Sequence, residues 1–155
     1  MGRLVAARRH SLLFGGGRLG MMGALAGAAA AGGARVTGIA PASVLSSQAF
    51  EPSAGELIVT RDLASRKAQM LARADLLIVL PGGLGTLDEL FEMWTLGPQL
   101  NAHQVPLVLV NTHGFYDGLL AWLTSQAQDG MMHPRLISAL QVVTSVEEAV
   151  AFVSS

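Results

Sequence analysis

The sequence predicts an α/β fold, Rossmann-like and doubly wound, with a parallel sheet covered by helices on both faces. Three observations predict it. Short apolar, β-branched runs alternate along the chain with segments of helical periodicity, which is the pattern of successive β-α-β units. Residues 76–80 (LLIVL) and 105–111 (VPLVLVN) are almost continuously apolar, as strands buried on both faces require. Glycine-rich turns follow two of the runs and open helices, so ligands are expected at the carboxyl ends of the strands. With 155 residues, the stretch 1–155 fits a single domain with its own core.

In order, residues 11–14 read as a short buried strand that enters Gly15-Gly16-Gly17-Arg18-Leu19-Gly20. An alanine-rich helix over 21–31 ends at Gly32-Gly33, and a strand over 34–40 ends at Pro41. Residues 44–55 lack periodicity and read as a loop over the site. A short strand over 56–60 precedes a helix over 61–74, with Leu63, Met70 and Leu71 among its apolar positions. After the strand at 76–80, Leu87, Leu90, Phe91 and Trp94 recur at helical spacing, so they form the buried stripe of the next helix. Gly97-Pro98 breaks that helix. A strand over 105–111, a helix over 115–128 with Leu119, Leu120 and Leu123 inward, and a strand over 140–144 complete the sheet. Ser145-x-x-Glu148 then opens a terminal helix as a capping box.

The composition narrows the function. A formal net charge of −1 leaves no electrostatic footprint for nucleic acid. Cysteine is absent, which removes disulfides and thiol chemistry and fits a cytoplasmic location. No secretory leader is visible, and the longest apolar helical stretch, 19–31, is too short and too rich in glycine to span a bilayer. His10, His103, His113 and His133 are scattered without ligand spacing, so they read as surface or loop residues and no metal site is expected. Met131-Met132 reads as a loop plug.

The central stretch is Pro81-Gly82-Gly83-Leu84-Gly85-Thr86-Leu87-Asp88-Glu89. A strand, a glycine loop and a helix N-terminus in that order form an anion site, because free backbone N–H groups and the helix dipole converge there. Thr86-x-x-Glu89 is equally a capping box in which both side chains serve only the helix end. The earlier loop, Gly15-x-Gly17-x-x-Gly20, fits a dinucleotide fingerprint, yet no acidic residue lies between Gly15 and Glu51 to hold the ribose hydroxyls. Gly16 and Gly17 are therefore read as a second close-approach surface for a nucleotide. Arg66-Lys67 supplies two cations ahead of the phosphate loop, against the commoner fate of a solvated helix face.

These residues resemble a known family. Arg66-Lys67 with the Pro81–Glu89 segment is similar to the R-K and P-G-G-x-G-T-x-x-E motifs of the "Lonely guy" cytokinin riboside 5′-monophosphate phosphoribohydrolases, long labelled lysine decarboxylase-like. Phe14-Gly15-Gly16-Gly17, Gly20-x-Met22-Gly23, Phe91-Glu92-Met93-Trp94-Thr95 and Asn111-x-x-Gly114-Phe115-Tyr116-Asp117 extend the match over nearly the whole chain. The resemblance implies hydrolysis of the N-glycosidic bond of an N6-substituted adenosine monophosphate, by a homodimer with no cofactor. It implies that Glu89 orients or activates water, or stabilises charge on the ribose, and that Arg66 works beside it. Gly82, Gly83, Leu84, Gly85, Thr86, Leu87 and Asp88 would hold the substrate, with Lys67, Thr95, Gly16 and Gly17 as further contacts. A decarboxylase does not follow, because Lys67 is the only lysine available for pyridoxal phosphate and it is already assigned.

Four departures stand beside the match. Aligned on the family, Met1 is expected to fall inside the first helix, so that the first strand and its Gly-Ser-Ser loop are expected to be lacking; Ala64 replaces a histidine before the R-K pair; the acidic substrate contact is expected to be lacking, with Gln48 nearest; and Gly97-Pro98 is expected to shorten or bend a helix. The alternatives they leave are an amino-terminally truncated nucleotide-binding protein without catalysis, and an AMP nucleosidase.

Overall fold

A computed structural model describes residues 1–44, 55–99, 102 and 105–154. The expected loop over 44–55 falls almost wholly outside these residues, as do Gln48 and His103. Contacts divide the chain into two compact units, Met1–Ala74 and Asp75–Ser155.

The first unit runs α1 (Gly2–Ala7), β1 (Leu12–Phe14), α2 (Gly20–Ala31), β2 (Val36–Pro41), β3 (Glu56–Thr60) and α3 (Leu63–Leu71). Its three strands form a parallel sheet in the order β1-β2-β3, with Leu12 opposite Val36 and Pro41 opposite Thr60. Pro41 closes β2 as expected, since it brings no N–H to a further ladder bond. Phe14, Ala26, Ala29 and Val36 form the core between α2 and the sheet. Asp62 caps α3 by accepting from the Ser65 amide at 2.7 Å, so the helix begins two residues later than the sequence suggested.

The second unit runs β4 (Leu77–Val79), α4 (Leu84–Trp94), a π-helical turn (Thr95–Gln99), β5 (Leu107–Val110), α5 (Asp117–Gln128), α6 (Pro134–Ala139), β6 (Leu140–Val143) and α7 (Val146–Ala151). Its parallel sheet has the order β4-β5-β6. Leu107 and Leu109 face the cluster built by Leu90 and Trp94 of α4 and Leu123 of α5. Val108 and Val110 alternate to the other face, where α7 packs on β5. Helices thus cover both faces, as the apolar runs required.

Several expectations change in detail. Among the described residues each unit carries one three-stranded parallel ladder, as the alternation of strands and helices along the chain dictates. β4 is half-buried rather than enclosed, because among the described residues it is an edge strand paired only to β5. The helix before Gly97-Pro98 leaves α-geometry at Trp94 and widens into the π-turn that contains both residues. Helix α6 was not foreseen, although His133-Pro134 signals it: Pro134 fills the first turn, and His133 Nδ1 accepts from the Arg135 amide at 3.2 Å. Of the expected methionine plug, Met132 packs on the core while Met131 stays exposed. His10 is no plain surface residue, since its Nε2 is buried with no hydrogen-bond partner among the described residues. The terminal capping box forms, with Ser145 accepting from the Glu148 amide and Glu148 accepting from the Thr144 amide.

Candidate active site

In the second unit, β4 delivers the chain through Leu80 and Pro81 to Gly82, and Gly83 caps α4 in an extended conformation. The amides of Thr86 and Leu87 both donate to the Gly83 carbonyl at 3.1 Å. Thr86 is therefore the third residue of the helix rather than its cap, and the cap position is held by Gly83, which has no side chain. The capping-box reading of Thr86 and Glu89 is thereby overturned. The extended Gly83 starts the helix early enough to carry Thr86 inside the first turn, leaving first-turn amides and the positive end of the dipole for a ligand.

The glycines of this loop separate by cause. A Cβ on Gly82 would strike the Thr86 side chain, so the fold itself demands that glycine. At Gly83 and Gly85 a Cβ would meet only open space, and neither adopts the left-handed backbone that favours glycine. Among the described residues nothing in the packing calls for a bare backbone there. A bare backbone does suit an anion that must approach these amides closely.

The helical period puts Thr86 and Glu89 on one flank of α4, three residues apart, with Glu89 half-buried. Asp88 and Thr95 lie on another flank, where they join Phe91, Glu92 and Leu96 around an open hollow of about 480 Å³. The residues foreseen as substrate contacts on this helix thus divide between two faces. Leu84 projects outward, 86% exposed, while Leu87 packs against the core.

In the first unit, Arg66 lies half-buried on α3, and its Nε donates to the Ile39 carbonyl near the end of β2 at 3.1 Å. Its guanidinium lies against Gly15, where a Cβ would strike Nη2. Lys67 is 8% exposed, so the pair is not a solvated helix face. Gly16 is left-handed at φ 72°, and a Cβ there would come within 2.9 Å of the Ala40 Cβ; a Cβ on Gly17 would crowd Met22. This loop's glycines thus accommodate the protein's own side chains, unlike Gly83 and Gly85.

Two expected results follow from the local geometry of this unit, the first from the seating of Arg66 and the second from the cap of α3. Gly15→Ala pushes the guanidinium off its place and lowers turnover while the sheet stays intact; steady-state kinetics beside a thermal melt checks this. Separately, the bonds from the Ser65 hydroxyl and amide, then Arg61, hold the Asp62 carboxyl at about 2, against an ordinary 3.8. A depressed carboxylate contributes stability that is fully present above pH 4 and is lost as pH falls toward 2. Denaturant midpoints across pH 2–6 therefore fall more steeply for the natural chain than for Asp62→Asn; identical slopes contradict this.

A parallel α/β protein with a glycine loop at a helix N-terminus has the arrangement in which phosphate-bearing ligands are commonly seated at strand ends. The particular family is shown by comparison: residues 22–153 match the model described as "Possible lysine decarboxylase", and the chain belongs to that family. The chain is 42% identical to the cytokinin riboside 5′-monophosphate phosphoribohydrolase of Mycobacterium tuberculosis (strain ATCC 25618 / H37Rv), over 96% of this chain and 79% of the relative. It is 38% identical to the protein of the same name from Rhodococcoides fascians, over 100% of this chain and 78% of the relative. The fold is that of the molybdenum cofactor carrier protein of Chlamydomonas reinhardtii, with a TM-score of 0.69 at 24% identity, over 99% of this chain and 81% of that one. The sequence resemblance and the fold class are both borne out. Among the described residues no helix is long and apolar enough to cross a membrane.

Proposed function

We propose that this chain hydrolyses the N-glycosidic bond of N6-substituted adenosine 5′-monophosphates, releasing the free base and ribose 5-phosphate. The observation that carries the reading is identity of 42% and 38%, over nearly all of this chain, to relatives that bear this activity in their names. The motif residues are intact, and the bare start of α4 supports a phosphate seat at Gly82, Gly83, Leu84, Gly85 and Thr86.

In the proposed reaction, water adds to C1′ as the bond to the purine nitrogen breaks, and the proton that Glu89 takes from the water is passed on to the leaving base. The transition state is oxocarbenium-like, so a carboxylate close to the sugar is worth most when positive charge develops there. Glu89 takes that role and orients the water; Arg66 is the second catalytic group. Lys67, Leu87, Asp88, Thr95, Gly16 and Gly17 are the further substrate contacts. The working form is a cytoplasmic homodimer, and the stretch 1–155 acts as one nucleotide-handling domain.

Incubation with N6-isopentenyl-AMP, with AMP as the comparison, tests the reading through chromatography of base and ribose 5-phosphate. Faster release from the substituted nucleotide is the expected result. Preferential cleavage of AMP reassigns the enzyme as an AMP nucleosidase. Binding of AMP with cleavage of neither overturns catalysis and leaves a nucleotide-binding protein.

A further inference from the structure

The segment Asn111–Asp117 takes no part in the proposed chemistry, yet its side chains lead back to the phosphate loop. Asn111 follows β5, and its Oδ1 accepts from the Tyr116 amide at 2.7 Å while its Nδ2 donates to Asp117 Oδ1 at 2.7 Å. His113 and Gly114 are both left-handed, at φ 52° and 68°, which turns the chain tightly enough for these bonds to close. A Cβ on Gly114 would strike the Asp117 carboxylate, so the turn is built for glycine. The Tyr116 ring is 3% exposed within the core of the second unit and meets Phe115 edge-on at 4.8 Å. Backbone and ring are therefore both fixed before the hydroxyl is considered.

That hydroxyl donates to the Leu80 carbonyl at 2.7 Å. Leu80 is the last residue before Pro81-Gly82-Gly83, and Pro81 has no amide with which to anchor the loop. Burial pushes the phenol upward, with the neighbouring Gly82 backbone acting in the opposite direction. The helix holds the Gly83 carbonyl from one side through the Thr86 and Leu87 amides, and Tyr116 holds the Leu80 carbonyl from the other; the amides between them bind an anion only if they point together.

We propose that Tyr116 is a positioning residue whose hydroxyl sets the path of the Pro81–Gly83 backbone and so the affinity of the α4 N-terminus for a 5′-phosphate. The inference rests on the reading of that loop as the phosphate seat. Tyr116→Phe keeps the ring in the core and removes only the anchor. Leu119→Ala, which trims the same core without a bond to the loop, serves as the structural comparison.

The test measures binding of ribose 5-phosphate, AMP and adenosine to the full chain and to both variants, with thermal melts alongside. Tyr116→Phe is expected to weaken ribose 5-phosphate and AMP by about tenfold, the effect of one lost buried hydrogen bond, and to leave adenosine unchanged. In turnover the loss falls on KM rather than kcat. Leu119→Ala is expected to melt earlier with its phosphate affinity intact. A lower melting point for Tyr116→Phe with unchanged phosphate affinity overturns the inference while leaving the seat in place. A natural chain that binds AMP no better than adenosine, and does not bind ribose 5-phosphate, overturns the seat and the inference together.

Discussion

Glu89→Gln lowers kcat by roughly 10²–10⁴-fold, the range for loss of a carboxylate that handles a proton in the transition state. The amide keeps the shape and helix propensity of the acid but neither holds the negative charge nor takes the proton from water. Because Gly83 rather than Thr86 caps α4, the substitution removes no capping box. The melting temperature therefore shifts by only a few degrees, about the effect of 1 kcal/mol in a domain of this size. KM stays near its natural value, since the lost interaction is one made in the transition state. The opposite pattern, an unstable protein with normal turnover, would return Glu89 to a purely structural role.

Arg66→Ala is the second large effect. Turnover falls roughly 10²–10³-fold, the cost of removing one preorganised donor from a reacting centre. Stability falls as well, by about 1 kcal/mol, because the Ile39 carbonyl loses its Nε donor. Arg66→Lys does not restore activity: an ammonium cannot bond Ile39 through Nε and still present a planar fork beside Gly15. Chemical rescue separates the two contributions. Added guanidinium recovers part of the turnover of Arg66→Ala if the cation acts in the reaction, and recovers none if Arg66 only ties α3 to β2.

Much of this was legible in the residues. The change from the apolar run at 76–80 to the spacing of Leu87, Leu90, Phe91 and Trp94 located β4 and α4, because the strand and helix periods differ and the buried stripe must obey one of them. The Ser145–Glu148 box was readable for a similar reason: a cap is a local bond between near neighbours. What stayed hidden depends on geometry across longer spans. Thr86 and Glu89 have capping spacing, and only the extended backbone of Gly83 shows that the helix has already begun. Two glycine loops look alike in sequence, yet Gly15, Gly16 and Gly17 yield to Arg66, Ala40 and Met22 while Gly83 and Gly85 face open space. That distinction needs the neighbours' coordinates. The bond from Tyr116 to Leu80 spans 36 residues and follows no local period, so no pattern along the chain announces it.

Product stoichiometry tests the proposed hydrolysis most directly. With N6-isopentenyl-AMP in a buffer free of orthophosphate, each nucleotide consumed yields one free base and one ribose 5-phosphate, and adding orthophosphate leaves the yield unchanged. Nucleotide that binds and is recovered whole, or cleavage that depends on orthophosphate, contradicts a hydrolase.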